Sequence, residues 1–314
     1  MILDLFAGPG GWDEGLRLLG RTDVLGVEID KAACATAIAA GHQRMVRDLY
    51  GLSTDRFSDV DGIIASPPCQ GFSKAGNRDG LNDIDIVCNL IAAMAVGRDE
   101  RRDAVLHVED TKSLLLVEPI RFAYLLEPAW MVLEEVPAVR PVWEMTAAGL
   151  RAMGYRVWTG GVDSERYGVP QTRRREVLIA HRDRDVAEPE ATHSRFYPTD
   201  PDRRDPGVPR WVSMREALDW REPGWWFLRS NNQPNSARRP INHPAPTIAG
   251  ANSTGDRVWI NDCSATMPVT VKDAAVLQSF PADYPWRGLQ AQKYQQIGNA
   301  VPPLMASAVL RQVL

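Results

Sequence analysis

The residue type most suited to covalent chemistry is a cysteine in a stiff loop. Residues 62–73 read GIIASPPCQGFS, so a short apolar run that predicts a buried strand is followed by two prolines and Cys69. The prolines fix the backbone φ angle, and Gly71 lets a ligand approach the chain closely. A lone cysteine is more often a small buried residue than a nucleophile, so this loop requires support from other residues.

Two acidic residues end a second predicted strand. Glu134 and Glu135 follow the apolar run 130–133, and carboxylates at the end of a buried strand belong in a site or in water. Because successive side chains of a strand alternate in direction, we expect Glu134 to enter the pocket and Glu135 to turn away toward backbone amides or an arginine. If both faced the pocket, like-charge repulsion would raise the pKa of one of them.

Three consecutive arginines precede a third apolar run. With a period of two, Arg173 and Arg175 are predicted to share one face of the strand, while Arg174 points to the other. Such a run is usually a solvated surface, but its position directly before an apolar strand would make one face of that strand cationic and directed.

The amino-terminal part predicts a nucleotide-like cofactor site. The run 2–6 leads into a glycine-rich turn at 7–11 and then a helix, an order that places backbone amides at the carboxyl edge of a parallel sheet. Asp13 stands where a dinucleotide fingerprint requires a third glycine, which disfavours a nicotinamide-dependent dehydrogenase. Glu28, at the end of the second strand, can accept hydrogen bonds from both ribose hydroxyls. Asp48, near the third strand, can accept one from an adenine amino group.

Taken in order, these motifs resemble those of the cytosine-C5 DNA methyltransferases. The matching stretches are DLFAGPGG at 4–11, PPCQGFS at 67–73, EEV at 134–136, GVPQTRRR at 168–175 and GNAVP at 298–302. The family has asparagine where this chain has Glu135. The resemblance covers about residues 1–184 and 263–314. It implies transfer of a methyl group from S-adenosylmethionine to C5 of cytosine in double-stranded DNA, with a flipped-out base and a covalent bond from Cys69 to C6.

The resemblance also implies the roles of individual residues. The catalytic group would be Cys69, Glu134, Arg173 and Arg175. The cofactor would be held by Asp4, Phe6, Ala7, Gly8, Gly10, Gly11, Glu28, Ile29, Asp48, Leu49, Pro68, Asn299 and Val301. The substrate would be contacted by Gln70, Ser73, Gln171, Arg229 and Arg238.

The predicted fold is an α/β, Rossmann-like methyltransferase with a mostly parallel, doubly wound sheet. Residues 1–185 form the catalytic domain, 186–262 a small inserted target-recognition domain, and 263–314 return to the catalytic domain. The insert is distinguished by its tryptophans and by nine arginines against six acidic residues between His193 and Pro240, although the chain of 314 residues has a net charge of −4.

The composition limits the kinds of site and the cellular compartment that we expect. The four cysteines are scattered without a Cys-x-x-Cys pair, so neither a zinc site nor a disulfide framework is indicated, and no apolar stretch approaches the ~20 residues of a membrane span. We expect a cytoplasmic monomer encoded by a bacterium or phage, in a restriction–modification context.

Two other functions stay open, namely the same chemistry on tRNA and a catalytically idle DNA-binding relative. A cysteine hydrolase is disfavoured, because none of the five histidines lies in a recognisable partner motif.

Overall fold

A computed structural model describes residues 1–57, 59–68, 71–72, 79–220, 222, 224–229, 238–249 and 258–314. Cys69, Gln70 and Ser73, predicted above as the nucleophile and two substrate contacts, lie outside these ranges.

Strands and helices alternate through most of the chain. The strands are β1 (Ile2–Leu5), β2 (Val24–Glu28), β3 (Gln43–Val46), β4 (Gly62–Ala65), β5 (Trp130–Glu135), β6 (Arg156–Asp163), β7 (Gln171–Thr172), β8 (Arg174–His181), β9 (Trp226–Arg229), β10 (Arg238–Pro240), β11 (Ala245–Pro246), β12 (Val258–Asn261) and β13 (Thr266–Pro268). The α-helices are α1 (Gly11–Leu18), α2 (Lys31–Ala39), α3 (Ile84–Met94), α4 (Arg101–Ala104), α5 (Glu118–Leu126), α6 (Arg140–Ala152), α7 (Met214–Ala217), α8 (Val271–Leu277), α9 (Gln290–Asn299) and α10 (Pro303–Leu310).

The large sheet has seven strands in the order β3-β2-β1-β4-β5-β8-β6. The first five are parallel, and β8 runs antiparallel to both of its neighbours. This confirms the predicted mostly parallel α/β fold. The order reverses between β1 and β4, and ligands of such sheets bind beyond the carboxyl ends of the strands at this switch point.

Apolar cores lie on both faces of this sheet. Because side chains of a strand alternate, Leu3, Ile63 and Met131 pack into one cluster, whereas Ile64 and Val132 pack into the other. Helices therefore cover the sheet on both sides, and the strand ends are the part left open for a site.

A second, antiparallel sheet has the order β10-β9-β12-β13. Its buried Leu228 and Trp259 pack in one cluster with Ala274 and Leu277 of α8. The sheet includes β13 and so extends beyond the boundary predicted at residue 262. A short parallel pairing of β11 with β7 connects this region to the segment that precedes β8.

The carboxyl-terminal segment follows the local signals in the sequence. Thr270 and Asp273 form the capping box that begins α8. Helix α10 packs on α1, where a Cβ at Gly15 would lie 2.6 Å from Cβ of Ala306, so the close contact between these helices requires glycine. Among the described residues, no helix is long and apolar enough to cross a membrane.

Candidate active site

A cavity of about 480 Å³ lies at the switch point of the large sheet, a volume within the usual range for small-molecule sites. Its wall is formed by the segments that follow β1 to β5, together with the end of α9. Many of the predicted site residues line it, namely Phe6, Ala7, Gly8, Gly11, Glu28, Ile29, Asp48, Leu49, Pro68, Glu134, Arg173, Arg175, Asn299 and Val301.

The glycine-rich turn has the backbone shape that its sequence predicts. Gly10 has a φ angle of 112°, which favours glycine strongly, and Phe6 adopts a left-handed φ of 61°. A Cβ at Gly11 would lie 2.2 Å from the carbonyl oxygen of Val301, so the approach of these two segments also demands glycine. The turn is thereby held close to the α9–α10 junction.

Glu28 ties the ends of β1 and β2 together. Its Oε2 accepts a hydrogen bond from the amide of Gly8 at 2.9 Å. Its Oε1 accepts from the amides of Ile29 at 2.8 Å and Asp30 at 2.7 Å. A carboxylate offers about four acceptor positions, so this geometry leaves one on Oε2. The two ribose contacts predicted for Glu28 stay a prediction, and one acceptor position on Oε2 is left for a ligand.

A buried charged pair lies under the glycine-rich turn. The Arg44 guanidinium forms a bidentate contact with Asp13, with distances of 2.6 and 2.9 Å, and its Nε donates to the carbonyl oxygen of Gly8 at 3.3 Å. All of these side-chain groups are buried. The Arg44–Asp13 pair therefore holds the glycine-rich turn in place through the carbonyl group of Gly8.

Asp4 and Gly10 were predicted as cofactor contacts but do not line the cavity. Asp4 is fully buried, and neither of its carboxyl oxygens has a hydrogen-bond partner among the described residues. Burial, followed by the negative charge of Asp13, raises the pKa of Asp4 well above its ordinary value. Asp4 belongs to the layer beneath the turn, so we replace the predicted contact with a supporting role.

The segment that follows β4 lines the cavity. Ser66, Pro67 and Pro68 all line it. The amide of Ser66 donates to the carbonyl oxygen of Leu5 at 3.3 Å, and its hydroxyl accepts from the indole of Trp12 at 2.9 Å. The end of β4 is therefore bonded to both β1 and α1.

Glu134 and Arg175 form a nearly buried ion pair in the cavity wall. Arg175 Nε lies 3.0 Å from Glu134 Oε1, and the two side chains are 12% and 6% exposed. Nη1 of Arg173 donates to the carbonyl oxygens of Gly298 at 3.0 Å and Ile248 at 3.3 Å. Arg174 points elsewhere and contacts Asp163. The predicted alternation of the three arginines is confirmed.

The prediction for Glu135 is only partly right. Its Oε2 accepts a hydrogen bond from the amide of Val136, as expected of a side chain that turns toward the backbone. However, Glu135 also lines the cavity together with Glu134. It occupies the last position of β5, where strict alternation no longer has to hold. Burial, and secondarily the charge of Glu134, raises the pKa of Glu135 well above its ordinary value.

Gln171 was predicted as a substrate contact, but its side chain is fully buried and does not line the cavity. Its Oε1 accepts from the amide of Ile248 at 2.8 Å, and its Nε2 donates to Gln278 and to the carbonyl oxygen of Leu277. Gln278 in turn donates to the carbonyl oxygen of Ala300 at 2.6 Å. With both ends of its amide occupied, Gln171 positions the wall of the site instead of binding a ligand.

Arg229 and Arg238 lie in the small sheet, away from the cavity. They are direct partners in the antiparallel β9–β10 pair, so their side chains share one face of that sheet. Arg238 is exposed and Arg229 is half-buried. Two cations on one face are suited to an anionic partner.

Sequence reasoning predicted Asn299 but missed the other residues on the same polar face of α9. Gln292, Gln295 and Gln296 line the cavity together with Asn299. Their spacing of three, four and seven residues is that of one face of a helix, so the pattern was present in the sequence. Lys112 and Arg47 were missed as well, and neither is marked by a local motif.

Comparison with protein families agrees with this geometry. The family model described as C-5 cytosine-specific DNA methylase matches residues 1–94, 105–219 and 227–314. The type II methyltransferase M1.HphI of Haemophilus parahaemolyticus is 29% identical over 349 residues, with 99% of this chain and 86% of the relative covered. The type II methyltransferase M.HgiDI of Herpetosiphon aurantiacus is 27% identical, with 97% and 91% covered.

Solved structures share the fold. The methyltransferase EhMeth of Entamoeba histolytica has a TM-score of 0.66 at 14% identity, with 99% of this chain and 96% of that chain covered. A mutant DNMT2 of Spodoptera frugiperda has a TM-score of 0.64 at 15% identity, with 99% and 98% covered. The Rossmann-like methyltransferase fold predicted from the sequence is confirmed.

Proposed function

Because the chain belongs to the family of C-5 cytosine-specific DNA methylases, we propose that it transfers a methyl group from S-adenosylmethionine to C5 of cytosine in a specific sequence of double-stranded DNA. One observation carries this proposal. A single cavity is lined by the glycine-rich turn and Glu28, by the prolines that precede Cys69, and by the Glu134–Arg175 pair. A cofactor half and a reactive half are therefore parts of one site.

The residues of the first half fit S-adenosylmethionine, which supplies the methyl group. Gly8 lines the cavity, and a Cβ placed on it would meet no atom within 4 Å, so the turn borders open space. Glu28 retains one acceptor position for a ribose hydroxyl. Oδ1 of Asp48 accepts from the amide of Tyr50 at 3.0 Å, which leaves Oδ2 for the adenine amino group. Asn299 and Val301 complete this wall.

The residues of the second half suit methylation of C5 of cytosine, which is a poor nucleophile by itself. C5 of cytosine needs activation, which the thiolate of Cys69 would supply by forming a bond to C6 and breaking the C5–C6 double bond. The resulting charge reaches N3, where Glu134 provides a hydrogen bond or a proton, and Arg175 holds that carboxyl in place. After methylation, loss of the C5 proton and cleavage of the C6–sulfur bond restore the ring.

The reactive edge of a paired cytosine is inside the duplex. The base must therefore be extruded into the cavity, at a cost of a few kcal/mol that contacts to the DNA backbone offset. We assign these contacts and the choice of sequence to the small antiparallel sheet and its loops, since Arg229 and Arg238 place two cations on one of its faces.

The test is a methyl-transfer assay with radiolabelled S-adenosylmethionine, in which duplex DNA and tRNA compete for the purified protein. We expect label at C5 of cytosine in the duplex, and sequencing of methylated cytosines would then identify the recognised site. Label in tRNA alone would transfer the same chemistry to RNA. No label in either polymer would favour an idle DNA-binding relative.

A further inference from the structure

A cluster of buried charges lies next to the cavity without lining it. Glu118, the first residue of α5, is fully buried, and its carboxyl group accepts hydrogen bonds from two arginines. Nε of Arg121 donates to Oε2 of Glu118 at 2.7 Å, and Nη1 of Arg101 donates to Oε1. The side chains of Arg121 and Arg101 are only 8% and 7% exposed. Glu118 therefore joins two guanidinium groups in the interior.

Arg121 connects this cluster to the segment that follows β3. Its Nη2 donates to the carbonyl oxygen of Leu52 at 3.0 Å and to that of Leu49 at 3.5 Å. Leu49 lines the cavity, as does the preceding residue, Asp48, which we assign to the adenine amino group. The described part of 47–61 contains no helix or strand, so its backbone groups need partners from elsewhere in the chain.

Arg101 supports the same segment through an aromatic ring. Its guanidinium carbon lies 5.3 Å from the centroid of the Tyr50 ring, within the range of a cation–π contact. Asp99 holds this guanidinium in its plane by accepting from Nε at 2.8 Å and from Nη2 at 2.6 Å. The amide of Tyr50 donates to Oδ1 of Asp48 at 3.0 Å. Tyr50 therefore links Arg101 to the carboxyl group that faces the adenine end of the cavity.

A second part of the cavity wall leads directly into α5. Lys112 and Leu115 line the cavity, and they belong to the 3-10 helix Thr111–Val117, which ends where α5 begins. Arg121 therefore joins two walls, the one at residues 48–49 and the one that precedes its own helix. Replacing a buried ion network by apolar residues of similar size is often neutral or stabilising, so the stability of the fold does not explain this network. The rigid fork of a guanidinium group is suited to keeping two segments at a constant distance.

We propose that Arg121 and Arg101, joined by Glu118, are positioning residues that hold the adenine end of the cavity at a fixed width. This role rests on the proposed use of S-adenosylmethionine. Neither arginine contacts the cofactor, since each acts through residues 49–52. Burial raises the pKa of Glu118, and the charges of Arg121 and Arg101 oppose this rise, so the carboxylate form depends on both arginines.

The first experiment needs neither DNA nor cofactor. Hydrogen exchange of the full-length protein is compared between wild type and Arg121→Lys, which keeps the charge but lacks the fork that reaches Glu118 and the backbone together. The amides of Tyr50 and Leu52 are hydrogen-bonded to Asp48 and to the carbonyl oxygen of Leu49. We expect both amides to exchange about tenfold faster in the variant, the scale of one hydrogen bond, while amides of β5 keep their rates.

An exposed pair provides the matched control. Arg98 lies 3.3 Å from Glu100, and the two side chains are 68% and 51% exposed. Arg98→Lys should exchange at the wild-type rate throughout. If Tyr50 and Leu52 keep their wild-type rates in Arg121→Lys, the positioning role of Arg121 is refuted, whatever the activity.

The second experiment separates cofactor binding from the chemical step. In steady-state methylation of duplex DNA, Arg121→Lys should raise KM for S-adenosylmethionine about tenfold and leave kcat and KM for DNA within about twofold. Calorimetry with S-adenosylhomocysteine, which has the same adenosine, should show the same tenfold loss of affinity. A lower unfolding free energy with unchanged cofactor affinity would reduce Arg121 to a purely structural residue and contradict the proposal.

A milder variant tests the Arg101 side, and it replaces Arg121→Lys if amides of β5 also exchange faster there. Tyr50 is 42% exposed, so Tyr50→Leu removes the ring beside Arg101 without opening the core. It should weaken binding of S-adenosylhomocysteine by about threefold, the scale of an exposed cation–π contact, and unchanged affinity would refute the role of Arg101. A wild-type protein that binds no S-adenosylmethionine would refute the proposed function instead, and the exchange comparison would still decide whether Arg121 holds residues 49–52.

Discussion

Replacing Glu134 by glutamine separates catalysis from stability at the reactive end of the cavity. Glutamine keeps the size of the side chain and an oxygen that can accept from Arg175, but it cannot ionise or transfer a proton. Loss of a general acid–base group slows a reaction by a factor of roughly 10²–10⁴, so we expect single-turnover methylation to fall by this factor.

Glu134→Gln should destabilise the fold by less than the complete loss of one member of a buried ion pair would. Deleting one member of a buried ion pair costs about 3–5 kcal/mol because the other charge is left without a partner. Arg175 is 12% exposed and would retain one hydrogen bond to the glutamine, so we expect the free energy of unfolding to decrease by less than about 3 kcal/mol. Urea unfolding of both proteins measures this difference.

The chain offers a matched control for this substitution. Glu144 also pairs with an arginine, Arg140, but the two side chains are 57% and 60% exposed. Exposed pairs contribute about 0–1 kcal/mol, so Glu144→Gln should change neither unfolding nor methylation appreciably. If Glu134→Gln methylates DNA within about threefold of wild type while folded, the assignment of Glu134 as the acid at N3 is wrong.

Four further predictions concern other parts of the molecule. Duplex DNA with 5-fluorocytosine at the target should form a covalent adduct in the presence of the methyl donor, and mass spectrometry should find none with Cys69→Ala; an adduct on another cysteine would overturn the assignment. Replacing Arg229 or Arg238 by alanine should weaken binding of the target sequence by roughly 1–3 kcal/mol if it reads a base, with the affinity for S-adenosylmethionine unchanged in calorimetry; equal loss of cofactor binding would place them in the catalytic core. Gly11→Ala should weaken cofactor binding by at least about tenfold and destabilise the fold by about 1–3 kcal/mol, because its Cβ would lie 2.2 Å from the carbonyl oxygen of Val301; unchanged cofactor affinity would argue against this wall. Burial raises the pKa of Glu165 from 4.5 to about 7, so its neutral form stabilises the fold below pH 4.5. The free energy of unfolding should then decrease by about 3 kcal/mol as the pH rises to about 7, and denaturation curves of Glu165→Gln should lack this decrease.

Local chemistry in the sequence determined much of the fold and the general position of the site. Short apolar runs ended by glycine, proline or acidic residues predict buried strands with functional ends, because parallel strands present their carboxyl ends at one edge of a sheet. Glu28, Asp48 and Pro68 are far apart in the chain, yet all line one cavity as their strand-end positions imply. The alternation of the three arginines was predictable for the same reason, since it follows from the backbone geometry of a strand.

Tertiary packing decided what those local rules could not. Asp4 and Gln171 belong to motifs that resemble binding segments, but the layers packed around them bury both side chains beneath the cavity wall. Strand β5 ends at Glu135, so its side chain does not have to follow the alternation of the strand. Its direction depends on the amide of Val136 and on the neighbouring strand β8. The protonation of Glu135 depends on burial and on charges brought together from distant parts of the chain, which a sequence pattern does not encode.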